Sequence, residues 1–299
     1  MIGFKVLVTA GLLVIGGFLV LDQEMNIGQF VAAEIIIILI ISSVEKLITG
    51  LEIFYDLLTS LEKLGEVVDK KLENLDGVDP FETEQDLKIN LTNLSVLKWN
   101  KESLIENLNL TIDQKDRILF KGPSGSGKTT LLKVIANLIS PSGGNISVNG
   151  YNLTNVNPNF YRSRVGQVLP EQLPFEGTIL ENITFGNTEV SMDEVNEVIR
   201  VLELEEFLKT QKKGLLTKIF PEGQKIPRTV TMQIMLARAI VGKPKLLILK
   251  DALENFEPRL TTKLMAFLAH SDRPWALLVC SNSEEWTQYI TREVNLSKQ

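Results

Sequence analysis

The sequence predicts an α/β protein built on a largely parallel sheet and preceded by two apolar helices. Three observations carry that expectation. From Leu87 onward, short apolar runs alternate with stretches of helical periodicity, as in strands joined by crossover helices. Between the run Ile118-Leu119-Phe120 and the helix-like segment that follows lies a glycine-rich turn, G-P-S-G-S-G-K-T. Ahead of all this, residues 4–21 and 27–44 are apolar, the first charged only at Lys5 near its start, the second only at Glu34.

Composition narrows the possibilities. The chain has 299 residues and a net charge of −6, with a sequence pI near 5.2. That acidity argues against a general affinity for nucleic acid. A single cysteine, Cys280, excludes an internal disulfide and fits a reducing compartment. Mean hydropathy is +0.10, and the excess is concentrated in the two N-terminal runs.

Each of those runs is long enough to cross a bilayer as a helix. A signal peptide is the competing reading of the first, but no small-residue cleavage site precedes the polar patch Asp22-Gln23-Glu24, and a second apolar run follows. The pair reads as a membrane hairpin. Its loop carries acids and no Lys or Arg, whereas Lys5 stands at one end and Lys46, Lys63, Lys70 and Lys71 at the other. The positive-inside rule then puts both ends in the cytoplasm of a multi-pass cell-membrane protein. Glu34 sits near the interface or faces a polar cavity.

Beyond the second run, Val44, Leu47, Ile48, Leu51, Phe54, Leu58, Leu61, Leu64, Val68, Leu72 and Leu75 recur at three- and four-residue steps. The helix is expected to continue to about residue 75, either packing on a neighbour or acting as a rod that carries motion. Asp76-Gly77-Val78-Asp79-Pro80 and the acidic stretch to Asp86 read as a linker. The expected division is a truncated transmembrane part at 1–75, a linker at 76–86 and an α/β domain at 87–299.

Within that domain, strands are expected at 104–112, 117–120, 146–149, 246–249 and 276–279. Helices are expected at 130–139, stopped by Ser140-Pro141, at 194–209, and at 231–241, ended by Gly242 and Pro244. The glycine-rich turn matches G-x-x-x-x-G-K-[ST] from Gly122 to Thr129. Gly122, Gly125 and Gly127 permit backbone angles that turn successive N–H groups toward one anion. The positive end of the following helix adds to them. Lys128 brings a mobile charge for the outer phosphates, and the Thr129 hydroxyl is placed for Mg²⁺. The expected phosphate cradle is therefore Gly122, Pro123, Ser124, Gly125, Ser126, Gly127, Lys128, Thr129 and Thr130.

With these features in order, the chain resembles the C-terminal part of an ABC exporter, the last two membrane spans followed by the nucleotide-binding domain. The resemblance covers essentially the whole chain. It is most specific in G-P-S-G-S-G-K-T-T-L-L at 122–132, F-E-G-T-I-L-E-N-I-T-F-G at 175–186, M-L-A-R-A-I at 235–240 and K-P-K-L-L-I-L at 243–249. It implies a P-loop NTPase nucleotide-binding domain of the ABC type, preceded by a transmembrane hairpin with a long cytoplasmic helical extension. It also implies ATP and Mg²⁺ as cofactors, a membrane location, a second nucleotide-binding domain as partner, further transmembrane segments and no nucleic acid. The implied function is the ATP-binding component of a membrane exporter. The alternative is a non-hydrolysing regulatory or partner subunit, or a fragment of a longer exporter.

The resemblance further implies that Trp99 stacks on adenine. It implies that a glutamine before Phe175 reports nucleotide state, with Gln167, Glu171 and Gln172 competing for that role. Three departures bear on hydrolysis. Where the family's signature reads L-S-G-G-Q, this chain has Ile226-Pro227-Arg228-Thr229-Val230; proline has no N–H to offer and arginine bars close approach. After the strand at 246–249, where the family puts a metal-binding Asp and then a water-orienting Glu, stand Lys250 and Asp251 or, with the register shifted by one, Asp251 and Ala252, so that either way one of the two carboxylates is missing. A lysine about 4.5 Å from Mg²⁺ costs roughly 7 kcal/mol at an effective dielectric of about 20. The expected catalytic residues are Asp251 and Lys128. Where the family has its switch histidine, Ser281 and Asn282 stand instead, and His270 reads as a solvated loop residue.

Overall fold

The computed structural model describes residues 2–82, 86–98 and 102–296. They fall into two compact units, Met1–Glu73 and Asn74–Gln299. The first is a helical hairpin, α1 (Ile2–Leu21) and α2 (Ile27–Val68). Asn26 starts α2 through a reciprocal cap. Its side-chain oxygen accepts from the Gln29 N–H at 2.8 Å, and the Gln29 side-chain oxygen accepts from the Asn26 N–H at 3.1 Å. Gly16 lets the two helices approach, since a Cβ there would lie 2.3 Å from the Phe30 ring. Toward the open end, Lys5 pairs with Glu45. Both helices are long and apolar enough to cross a membrane by length and composition. Over its apolar stretch each helix satisfies its backbone polar groups internally, as a segment facing hydrocarbon must.

One expectation is corrected here. α2 ends at Val68, where the Asp69 N–H closes onto the Gly65 carbonyl at 2.9 Å, and does not reach residue 75. Leu72 is 87% exposed and Leu75 51%. Exposure does not separate these residues from the last turn of α2, where Val67 and Val68 are 70% and 67% exposed, so apolar spacing alone does not set where the helix ends.

In the second unit the elements are β1 (Lys88–Leu97), β2 (Ser103–Asp113), β3 (Arg117–Lys121), α3 (Lys128–Ile135), β4 (Gly143–Val148), β5 (Tyr151–Asn152), α4 (Pro158–Ser163), β6 (Val165–Val168), β7 (Gly177–Thr178), α5 (Ile179–Thr184), α6 (Met192–Val201), α7 (Glu205–Thr210), β8 (Lys218–Ile219), α8 (Arg228–Val241), β9 (Leu246–Lys250), α9 (Pro258–Ala269), β10 (Ala276–Cys280) and β11 (Arg292–Asn295). Among the described residues, β11-β3-β10-β9-β6 form a five-stranded sheet in which every pairing is parallel. β2-β1-β4-β5 form an antiparallel sheet of four strands, and β7 pairs with β8. Strands β3, β9 and β10 of the parallel sheet are buried on both faces, which their unbroken apolar runs require, while the edge strand β11 is largely exposed. Leu119, Leu247, Leu249, Leu277 and Val279 pack into one core with α5, α6, α8 and α9, while Ile118, Phe120, Leu246, Ile248 and Leu278 pack into the other with α3 and the antiparallel sheet.

The helix expected at 194–209 is two helices, because Glu203 turns left-handed at φ +56° between α6 and α7. That turn lets both Leu202 and Leu204 reach the core. The helix expected at 130–139 runs from Lys128 to Ile135, and Asn137 at φ +57° stops it before Ser140-Pro141. The helix expected from residue 231 begins already at Arg228. Residues 78–80 of the expected linker are tied down. The Val78 N–H donates to the Asn155 carbonyl and the Val78 carbonyl accepts from the Asn157 N–H, both at 3.1 Å. Asn149 donates to the Pro80 carbonyl at 3.0 Å. Residues 83–85 lie outside the described residues.

Candidate nucleotide-binding site

The parallel registers decide where chemistry gathers. Cys280 stands beside Phe120 on one side and Lys250 on the other, so β3, β10 and β9 end together at one edge of the sheet. In parallel α/β sheets the crevice outside those ends is where ligands bind. Into it come the loop after β3, the pair Lys250-Asp251 and the residues Ser281 and Asn282.

The loop is held by close packing. Gly122 sits at φ +145°, and a Cβ there would fall 2.2 Å from the Leu296 carbonyl oxygen. Gly127, at φ +89°, caps α3. Ser126 is buried beneath the loop, and its N–H donates to the Pro123 carbonyl at 3.2 Å. Lys128 folds back over the turn, donating to the carbonyls of Gly122 at 2.6 Å and Pro123 at 2.8 Å. The first N–H groups of α3 have no acceptor within the helix, so they are free for an anion. A cavity of about 260 Å³ opens on this surface, lined by Ser124, Gly125, Gly127, Lys128, Thr129 and Thr130 together with Leu104, Lys250 and Asn282. Another, of about 190 Å³, adjoins Lys128 and Gly122 and is lined by Ser281, Asn282 and Ser283.

Most of the expected phosphate cradle thus lines one cavity, with Gly122 on the adjoining one and Ser126 beneath. Lys250 and Ser281 reach the same crevice. Trp99 lies outside the described residues. Leu104 and Asn282 were not assigned by sequence reasoning: nothing marks one leucine of a strand as facing the loop, and the position of Asn282 was read only as a histidine replacement.

Asp251 follows β9 with φ +50°, and its N–H donates to the Cys280 carbonyl at 2.9 Å. One carboxylate oxygen is paired with the Lys250 ammonium, while the other is buried without a hydrogen-bond partner. Burial pushes the Cys280 thiol up, and the nearby Lys250 and Lys128 ammonium groups oppose that shift. Lys250 stands beside Cys280 at the end of β10 and lines the same cavity as Lys128. Mg²⁺ wants oxygen ligands in strict octahedral order. Thr129 offers a hydroxyl, but Lys250 lines the same cavity and holds the neighbouring carboxylate. This donor set does not fit Mg²⁺.

The competing glutamine-loop residues are held apart. Gln167 lies in β6 beside Ile248, its side-chain oxygen buried without a partner. Glu171 pairs with Lys133 of α3, which holds its carboxyl below the usual range against the opposing effect of burial. Gln172 turns back to accept from the Leu169 N–H at 3.0 Å. None of the three lines either cavity. Pro227 caps α8, and Arg228 is exposed at its first turn. His270 lies beyond α9, near the start of β10 and so at the opposite edge of the sheet from the loop; its side chain is exposed, as expected.

A parallel sheet with a glycine-rich anion loop at its carboxyl edge and an antiparallel sheet alongside defines a P-loop nucleotide-binding domain. Residues 105–254 match the ABC transporter family model, and the chain belongs to that family. Over 240 residues it is 30% identical to the alpha-hemolysin translocation ATP-binding protein HlyB of Escherichia coli O157:H7, covering 79% of this chain and 34% of that protein. Over 210 residues it is 30% identical to a putative export ATP-binding/permease protein of Rickettsia felis, covering 70% and 36%. The chain thus spans about a third of the length of the curated relatives it matches. The structure of a bacterial Atm1-family ABC exporter with ATP bound superposes with a TM-score of 0.69 at 18% identity, over 80% of this chain and 42% of that one, which is a likeness of fold.

Proposed function

We propose that this chain is the ATP-binding component of a membrane export assembly, with ATP held at Gly122–Thr130 and Trp99 stacked on the adenine. The observation that carries the reading is the Lys128 ammonium resting on the Gly122 and Pro123 carbonyls at the mouth of a preformed loop. A cation so placed needs only to swing outward to meet a phosphate. The names of the relatives, export and translocation ATP-binding proteins, support the setting. The hairpin of α1 and α2 supports a membrane location. A second nucleotide-binding domain and further transmembrane segments complete the assembly.

In this reading Asp251 polarises the attacking water, and Lys250 holds it. The Thr129 hydroxyl alone does not make a Mg²⁺ site. Hydrolysis is therefore slow, and a non-hydrolysing partner subunit is the second reading, favoured by the Lys250–Asp251 pair and by Pro227 at the head of α8. Equilibrium dialysis of the full chain against labelled ATP tests the main proposal. Lys128→Ala is expected to weaken retention by about tenfold or more. Equal retention by wild type and variant would remove the site. Phosphate release measured on the same samples separates the two readings.

A further inference from the structure

Lys250 stands where a carboxylate would have served a divalent cation, and it stands inside the nucleotide cavity. It shares that cavity with Lys128 and Thr129. Its side chain is largely buried, at 14% relative exposure. The register of β9 against β10 fixes its backbone beside Cys280, at the edge to which the loop after β3 also comes. An ammonium has three donors. Asp251 takes one of them, which leaves the group able to meet a phosphate oxygen while neutralising the carboxylate beside it.

Building on the nucleotide reading above, we propose that this site binds its nucleoside triphosphate without a divalent cation, the Lys250 ammonium taking the cation's place opposite Lys128. Lys250 and, once swung outward, Lys128 flank the phosphate chain. A hydrated Mg²⁺ would have to enter beside an ammonium, and the neighbouring Asp251 carboxylate is not free to receive it, since Lys250 occupies one of its oxygens and the other is buried. The metal-free triphosphate carries more negative charge than its Mg²⁺ complex and is the better match for two lysines. Mg²⁺ then competes with the protein for the nucleotide instead of assisting it.

The test is equilibrium dialysis of the full chain in detergent with labelled ATP, once with excess MgCl₂ and once with EDTA, on wild type, Lys250→Asp and Lys128→Ala. The expected result is a wild-type affinity in EDTA equal to or greater than that in Mg²⁺, within about threefold. Lys250→Asp is expected to reverse the preference, binding at least about tenfold more weakly in EDTA than in Mg²⁺. Mn²⁺ offered with ATP gives a second readout by electron paramagnetic resonance: bound metal with Lys250→Asp, none with wild type. A wild-type affinity that falls about tenfold in EDTA overturns the proposal while leaving nucleotide binding intact. No retention in either buffer, equal to Lys128→Ala, overturns the nucleotide reading and this inference together. The wild-type comparison stands whether or not the variants fold.

Discussion

The Arg238 guanidinium grips Asn182 twice, donating from Nε to its carbonyl and from one terminal nitrogen to its side-chain oxygen, each at 2.7 Å. Asn182 is fully buried. Its amide donates to the Phe175 and Thr178 carbonyls at 3.0 Å, and its oxygen also accepts from the Phe175 N–H. Arg238 lies 5.3 and 5.0 Å from the centres of the Phe175 and Phe185 rings. Burial lowers its proton affinity, but the guanidinium stays charged. One buried network therefore ties α5 and the segment before it to the last turn of α8. Asn182→Ala leaves several buried groups unpaired and is expected to cost about 3 kcal/mol. The same network is already broken in Arg238→Met, so the double variant is expected to fall short of the sum by about 1–2 kcal/mol. Unfolding midpoints of the four proteins close the cycle, and strict additivity would show the contacts to be independent.

Arg117 plays a comparable part far from the loop. It is 3% exposed and donates to the carbonyls of Ala269 at 3.2 Å, Trp275 at 2.7 Å and His270 at 2.9 Å. Two of these belong to the carboxyl end of α9, whose dipole welcomes a cation. Burial lowers its proton affinity and the neighbouring Asp116 opposes the shift. Arg117→Met is expected to cost about 3 kcal/mol, a fall in melting temperature of roughly 6–12 °C for a domain of this size. ATP retention by the folded protein is expected to stay within about twofold, because the site is at the other edge of the sheet. A variant that melts like wild type but loses ATP would reverse that assignment.

What could be read from the sequence follows from how local each signal is. The loop was legible because Gly122, Gly127 and Lys128 are adjacent in the chain. β9 and β10 were legible because burial on both faces makes a strand wholly apolar. In the antiparallel sheet β2 and β4 were legible as strands, but β1 was not, since Asn90, Thr92 and Asn93 interrupt its apolar residues. Glu203 gave no warning of the break between α6 and α7, because a glutamate at positive φ is chosen by the burial of Leu202 and Leu204 around it. Asn182 read as a polar position near a helix, and only its partner at Arg238 explains its burial. Lys250 was visible as a departure, but its partner Asp251 and its cavity required the register of β9.

The cap of α6 gives a pH signature. Ser191 accepts from the Glu194 N–H at 3.3 Å and donates to the Glu194 carboxylate at 3.0 Å, while Lys243 pairs with that carboxylate at 2.9 Å. The Lys243 contact first, then the Ser191 N–H and hydroxyl, hold the Glu194 carboxyl down at about 2. Its folded pKa is below its unfolded value of about 4.3. The stabilisation is therefore present above about pH 4.3 and is lost as pH falls toward 2. Ser191→Ala is expected to cost about 1 kcal/mol at pH 7 and to come closer to wild type with acidification through that window. Denaturation at pH 7 and pH 3 checks it, and a gap that widens at pH 3 would contradict the assignment.

Slow hydrolysis is the last expectation. Charge on a transferring phosphoryl group is stabilised by positioned cations and donors, and the attacking water by a carboxylate. Here Asp251 has one oxygen held by Lys250 and the other buried, and Ser281 turns its hydroxyl oxygen to accept from the Ser283 N–H at 3.1 Å. Lys250→Asp alone frees the neighbouring carboxylate but restores neither a longer base nor an imidazole, so phosphate release is expected to rise by less than about tenfold. Combining it with Asp251→Glu and Ser281→His supplies the missing side chains, and release is expected to rise by about a hundredfold. Pro227 still leaves the head of α8 without an amide at its cap, so a further gain on Pro227→Ser is expected only when two copies can close on each other. Release at single-turnover ATP as a function of protein concentration separates the two gains: the first is independent of concentration and the second rises with it.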